Sequence, residues 1–298
     1  MQWKIWGAIV IASIGWGTTG VATRAALLDG VPPIAMAAIR AVLASIVLFA
    51  VLMIRRHRFD RDRRRWRTGL IAGVFQLSLP FIFFTLAYQY ASAGFVGLLT
   101  ALIPLGTAIL ANFLLPDEPM TVAKAVGLSV AFAGVALLLL SGDSGLSEGG
   151  RPLLAGGLTL AAVSSVSLAT VLIRGRPGTY EPIELTFMQF LVGVFVVGGT
   201  MLIVEGMPSG ITGWGWTMII YLTAFGSLLP TLLFYWVLQQ SSSTRAAMVG
   251  YVVPLIALVA GIVLLDEKLQ LGLALGGALI LVGIVLTDRA ETQQPSVE

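Results

Sequence analysis

The sequence predicts an all-α, polytopic membrane protein of ten transmembrane helices arranged as two inverted five-helix repeats. Three observations carry that expectation: a composition suited to lipid, ten apolar blocks of spanning length, and features that recur half a chain apart. Of the 298 residues, 57% are hydrophobic and 11% charged, against roughly 45–50% and about 25% in soluble domains. A helix needs about 20 apolar residues to cross the hydrocarbon. Blocks of that order fall at 4–27, 33–54, 68–90, 95–115, 121–141, 152–174, 183–205, 214–238, 244–265 and 269–287. The connections are mostly too short for a separate soluble domain, a nucleotide-binding module or a long lid.

Span one follows Lys4 and runs apolar to Leu28. It is too long for the core of a signal peptide and no small-residue cleavage site follows, so it is expected to be retained. Behind span two come Arg55, Arg56, Arg58, Arg61, Arg63, Arg64, Arg65 and Arg67, eight of the 18 basic residues. The positive-inside rule places that loop, and with it both termini, in the cytoplasm. Beside a membrane these arginines serve topology and anionic headgroups, at about 1 kcal/mol each near the surface, more economically than they serve nucleic acid. His57, the one histidine, sits among these positive neighbours and reads as a loop residue only.

Spans three, four, eight and nine contain Pro80, Pro104, Pro230 and Pro254. Each removes a backbone donor and can bend its helix, and the freed carbonyls are tolerated only inside protein or against a wet cavity. These four helices are therefore expected to surround a pathway, with the prolines as hinges or gates. Gly127 and Gly134 on span five, and Gly276 and Gly283 on span ten, lie two turns apart on one helix face. Small residues let helices approach closely, so these spans are expected to brace the two halves, within one chain or across a dimer. Asp117-Glu118 and Asp266-Glu267 end spans four and nine; their expected role is to cap the helix that follows.

A displacement of 149 or 150 residues brings like features together: Pro33 onto Pro182, Pro80 and Phe84 onto Pro230 and Phe234, Pro104 onto Pro254, Gly127 and Gly134 onto Gly276 and Gly283. Five spans per half is an odd number, so the second half enters the membrane from the opposite side. Inverted repeats characterise secondary transporters, whose halves exchange roles to open a central site to each face in turn.

The most telling residues are Trp16-Gly17, Pro33 followed by Arg40, Leu102 and Pro104, and Glu118 in the first half, with Pro254, Asp266-Glu267 and the Gly276/Gly283 pair in the second. In their order and spacing they resemble the drug/metabolite transporter superfamily, specifically its ten-span branch built from two EamA-type repeats. The resemblance runs from about Ile5 to Thr287 and divides the chain into a first repeat at 1–145, a second at 150–290 and a short cytoplasmic tail at 291–298. It implies a bacterial-type inner-membrane carrier, often an exporter, with a central cavity between the repeats. Among the branches the chain looks most like the aromatic and neutral amino-acid exporters. Ser165 stands where the first half has Trp16, and Gln189 where it has Arg40, so the cavity is expected to be asymmetric.

Arg40 lies about 10 Å inside span two at 1.5 Å per residue. An arginine near a helix centre costs roughly 2.5–3.5 kcal/mol on insertion scales, so it should face the bundle and be paired. Two roles stay open: binding a substrate carboxylate, or a structural contact with backbone carbonyls, Asp29 or Glu205. Its shallow position favours the second. Trp3, Trp6, Trp66, Trp214 and Trp216 suit interfacial anchoring. Trp16, Tyr88, Tyr235, Trp236 and Tyr251 lie deeper and suit a cavity for an apolar or aromatic ligand, oriented by Thr19, Gln76, Thr100, Ser164, Ser165 and Gln189. For each of these, contact between helices is the alternative.

A membrane enzyme acting on a lipid-soluble substrate needs convergent acids, bases or a metal. Cysteine is absent, the histidine lies in the arginine loop, and no span holds a deep carboxylate pair; no catalytic residue, metal site or cofactor is expected. The glycine-lysine pattern of nucleotide hydrolases is missing, as are a filter sequence or charged ring of a channel. The expected partners are membrane lipids and a small molecule, an amino acid or metabolite, with export of drugs as the alternative. Glu184 and Glu205 lie near opposite ends of span seven, so neither is an obvious proton carrier; facilitated diffusion of an accumulated metabolite is the expectation, with proton antiport kept open. Oligomeric state is open too, a monomer included.

Overall fold

A computed structural model of the chain describes residues 2–57, 62–114, 121–174, 181–240 and 243–292. The helices are α1 (Gln2–Leu28), α2 (Pro33–Ile54), α3 (Arg63–Ile71), α4 (Leu79–Ala87), α5 (Ala93–Thr100), α6 (Ile103–Leu114), α7 (Val122–Leu140), α8 (Pro152–Arg174), α9 (Pro182–Val204), α10 (Gly213–Thr223), α11 (Leu229–Gln240), α12 (Ser243–Leu265) and α13 (Leu271–Thr292). Among the described residues, eight helical runs are long and apolar enough to cross a membrane, and two shorter apolar stretches, Val252–Leu265 and Leu271–Thr287, follow. The outer surface carries large apolar side chains such as Ile46, Phe49, Phe195 and Ile203, all exposed, which fits hydrocarbon and not water.

Three runs are interrupted where proline falls. Between α3 and α4, residues Ala72–Ser78 form a π-helical turn just before Pro80. Between α10 and α11, Ala224–Leu228 do the same just before Pro230. The run holding Pro104 breaks at Ala101–Leu102 between α5 and α6. Pro254, by contrast, lies inside an unbroken α12.

Helix ends are closed by polar groups from elsewhere in the chain. Glu205, behind the last residue of α9, accepts from the backbone N–H groups of Ile34 (2.9 Å) and Ala35 (2.7 Å) at the start of α2, where a carboxylate meets the positive end of the helix dipole. Thr212 caps α10 through Gly215 N–H at 3.0 Å and donates its hydroxyl to Asp29. The chain leaves α1 through Gly30, whose φ of +87° lets Val31 N–H reach back to Ala26 O at 3.0 Å, the closure that glycine supplies best.

The two helices with paired glycines cross each other within the one chain. A Cβ placed on Gly127 would lie 2.7 Å from Gly283 O, and one on Gly134 would lie 2.7 Å from Gly276 O. The order of partners is reversed, so α7 and α13 run antiparallel. Overpacking a tight core costs about 1–3 kcal/mol, and here the obstacle is backbone. Gly134→Leu is therefore expected to lower the melting temperature of the purified protein by several degrees, whereas Gly157→Leu, at a glycine with open space around it, should leave it in place.

Candidate functional site

Arg40 sits on the inner face of α2, 4% exposed. Its Nη2 donates to Ser227 Oγ at 2.8 Å, and its guanidinium lies 4.5 Å from the centroid of the Phe81 ring. Neither Asp29 nor Glu205 pairs with it, which corrects one of the two expectations: both acids are engaged at helix starts. Among the described residues Arg40 Nε has no hydrogen-bond partner. A cation over a desolvated ring gains about 2 kcal/mol, and one hydroxyl adds a single bond, so the charge is held without a counter-ion from the described residues. The π-helical turn at Ala224–Leu228 sets Ser227 against Arg40. From α1, Thr19 Oγ1 reaches Gly226 O in the same turn at 3.5 Å.

The matching turn at Ala72–Ser78 carries Gln76, whose Oε1 accepts from Gln189 Nε2 of α9 at 3.2 Å. Pro80 has no N–H to offer the carbonyl five residues before it, and Ser165 Oγ of α8 donates to that carbonyl, Phe75 O, at 2.7 Å. Ser165 thus satisfies the freed acceptor, a backbone role that its residue type alone did not disclose. In the other half the corresponding carbonyl, Phe225 O, is closed off by Gly15, where any side chain would collide with it. Phe81, beneath Arg40, meets Phe190 edge-on at 6.0 Å, next in sequence to Gln189. One polar and aromatic patch therefore gathers Arg40, Ser227, Phe81, Gln76 and Gln189 from α2, α4, α9 and the two π-helical turns.

The other predicted residues distribute differently. Trp16 stacks at a tilt on Phe234, 5.3 Å between centroids, and Trp236 packs against the same core cluster. Thr100 bonds back to Val96 O at 2.8 Å, one turn before the break at Ala101–Leu102, and Pro104 beyond that break is exposed. Pro80, Pro230 and Pro254 are buried. Ser164 stands with Leu153, Gly157 and Ala161 on an exposed stripe of α8, away from the patch. The side chains of Tyr235 and Tyr251, and the Asp117-Glu118 pair, lie outside the described residues.

Tyr88 leads to a cluster that sequence reasoning missed. Its ring fills the space that Gly20 leaves, since a Cβ there would lie 2.9 Å from the ring. Arg24, one turn further along α1, donates Nη1 to Tyr88 O (2.8 Å) and Ala91 O (2.9 Å) and pairs through Nε with Glu267 at 3.1 Å. Glu267 also accepts from Ala93 N–H at 2.8 Å and Gly94 N–H at 3.4 Å. It caps α5, not the following helix α13 as expected, because the turn at Asp266 (φ +50°) folds Glu267 N–H back to Gly261 O. Burial pushes the Glu267 carboxyl above the usual carboxylate range; the N–H groups of Ala93 and Gly94 and the Arg24 guanidinium pull the other way. The cluster ties α1, the α4–α5 turn and the α12–α13 turn together at one end of the bundle.

At the opposite end of α2, His57 is more than a loop residue. Its Nδ1 lies 3.0 Å from Glu181 and its Nε2 3.5 Å from Glu184, while Arg65 approaches Glu184 at 3.7 Å. Glu184 is buried. The positive neighbours foreseen for His57 are accompanied by two carboxylates from the start of α9, which the loop's own sequence does not contain.

Comparison with known proteins adds the following. A family model described as the EamA-like transporter family matches residues 3–140 and again 154–288. An "Uncharacterized transporter" of Archaeoglobus fulgidus is 27% identical over 96% of this chain and 99% of its own length. Protein PecM of Dickeya dadantii is 26% identical over 92% of this chain and 88% of its own, and the "Uncharacterized inner membrane transporter YedA" of Escherichia coli is 27% identical over 89% and 84%. A crystal structure superposes with a TM-score of 0.62 at 18% identity, covering 98% of both chains; that likeness concerns the fold alone.

Proposed function

This chain belongs to the EamA-like transporter family, a membrane transporter of small metabolites and not an enzyme, and on that premise we propose that it exports aromatic or neutral amino acids by alternating access. The reading takes residues 1–145 and 150–290 as inverted five-helix repeats, ten spans in all, in a bacterial-type inner membrane with both termini cytoplasmic. Its chief support is the α7–α13 crossing. The displacement of 149 sends Gly127 to Gly276 and Gly134 to Gly283, so the contact Gly127–Gly283 becomes the contact Gly276–Gly134, and both occur. A set of contacts that returns to itself on exchanging the halves fits a twofold axis, and antiparallel partners fit an axis in the membrane plane.

The patch between the halves supports the substrate class. Arg40 offers a charge for a carboxylate, Gln76 and Gln189 offer neutral amides on the other side, and Phe81, backed edge-on by Phe190, offers a flat surface for an apolar or aromatic side chain. With the termini inside, the Arg24–Glu267 cluster closes the outer end. The test is counterflow in liposomes holding the purified protein, with a panel of amino acids and with or without an imposed pH gradient. Saturable counterflow of labelled phenylalanine, tryptophan or leucine is the expected result. Saturation by other metabolites alone would remove the amino-acid assignment, and unsaturable electrical flux would remove the carrier mechanism.

A further inference from the structure

We propose that the crevice between α3 and α9, at the arginine-rich end of the bundle, binds an anionic glycerophospholipid. Arg63, Trp66, Arg67 and Leu70 recur at i, i+3, i+4 and i+7, which puts them on one stripe of α3. Leu191 and Val192 of α9 form the facing wall, and the space between measures about 280 Å³. Gly69 contributes no side chain, so Met188, whose Sδ would lie 2.7 Å from a Cβ at that glycine, sets the floor.

Along about 10 Å of helix axis the stripe runs Arg63, Trp66, Arg67 and Leu70, two guanidiniums flanking an indole and an aliphatic side chain at the far end. In a leaflet phosphate, glycerol interface and acyl chain follow in turn, and indole rings favour the middle level. Arg63, Trp66, Arg67 and Leu70 are all exposed. Among the described residues neither Arg63 nor Arg67 has a carboxylate within ion-pair distance, whereas Arg65, off this stripe, faces Glu184. Arginine takes phosphate oxygens bidentately, so two of them at the mouth of an apolar slot match a ligand with an anionic head and a hydrocarbon tail. A free phosphate leaves the slot unfilled, and a zwitterionic lipid brings an ammonium group up to two arginines.

The intact protein in detergent micelles provides the test, with melting temperature and lipid retained in native mass spectrometry as readouts. Dioleoyl-phosphatidylglycerol is expected to raise the melting temperature and stay bound, while phosphatidylcholine with the same chains and inorganic phosphate do neither. The pair Arg63→Gln/Arg67→Gln should weaken phosphatidylglycerol binding about 30-fold, and Arg64→Gln, outside the stripe, by no more than about fivefold. Leu191→Trp, which fills the slot and keeps the arginines, should also displace the lipid. Equal binding of the two lipids, an Arg64→Gln loss as large as that of the pair, or an unchanged affinity in Leu191→Trp would each overturn the site.

Discussion

Arg40→Gln is expected to fold, to melt at or above the temperature of the parent, and to lose counterflow of carboxylate-bearing substrates by roughly 10- to 100-fold in KM, the range for a hydrogen bond to a charged group. The argument turns on how little holds that guanidinium. It has a hydroxyl at 2.8 Å and a ring face at 4.5 Å, against the several kcal/mol that burying an ion costs. A residue serving the fold would be better paired, and removing it would lower stability. A residue kept for a ligand is compensated only when the ligand arrives. Amino amides, which lack the carboxylate, should be handled alike by parent and variant. A fall in melting temperature together with unchanged KM would return Arg40 to a structural role.

The second large effect concerns the Arg24–Glu267 pair. Its side chains are 11% and 5% exposed, and removing one member of such a pair leaves an unpaired charge at a cost of about 3–5 kcal/mol. Arg24→Met should open that end of the bundle. Because the chain has no cysteine, a Val21→Cys substitution, one turn below Arg24 and buried, reports the opening by its labelling rate. Labelling should rise on the order of 100-fold in Arg24→Met and return towards the parent rate when Glu267→Gln is added. The pH dependence has a definite sign. The closed state holds the Glu267 carboxyl above the ordinary value of about 4.3, so closure is favoured at low pH and lost as pH rises through the raised value. Acid should therefore slow labelling in Arg24→Met by more than in the double variant, where only the loss of thiolate acts. Labelling that ignores all these changes would show that the pair does not close the bundle.

How much of this was legible in the sequence depends on whether the information is local. Helix positions were, because length and apolarity are properties of a stretch: Pro33–Ile54 and Pro152–Arg174 fall where the blocks of 33–54 and 152–174 placed them. The glycine crossing was legible as a face, since residues seven apart share one, but not as a choice of partner. Pro80 and Pro230 announced defects; that each is preceded by a π-helical turn, and that Ser165 fills the acceptor left by one of them, depends on neighbours from other helices. The Arg24–Glu267 pair was hidden for the same reason, its members lying near opposite ends of the chain. Glu205 shares a membrane surface with Arg40, but the uncapped helix start at Ile34 and Ala35 claims its carboxylate, a competition that depends on how α2 and α9 meet.

The close meeting of α7 with α13 bears on how the proposed alternating access would run. Where side chains interlock, a helix pair must jump between discrete settings, each with its own fit of knobs and holes. Gly127, Gly134, Gly276 and Gly283 bring backbone against backbone, and Leu138, Leu279 and Thr287 stand in the gaps they leave, so this seam keeps one setting and resists slipping out of it. Under the proposed alternating access the two halves would turn about a part that holds fast, and this seam, set apart from the polar patch, would be the fulcrum.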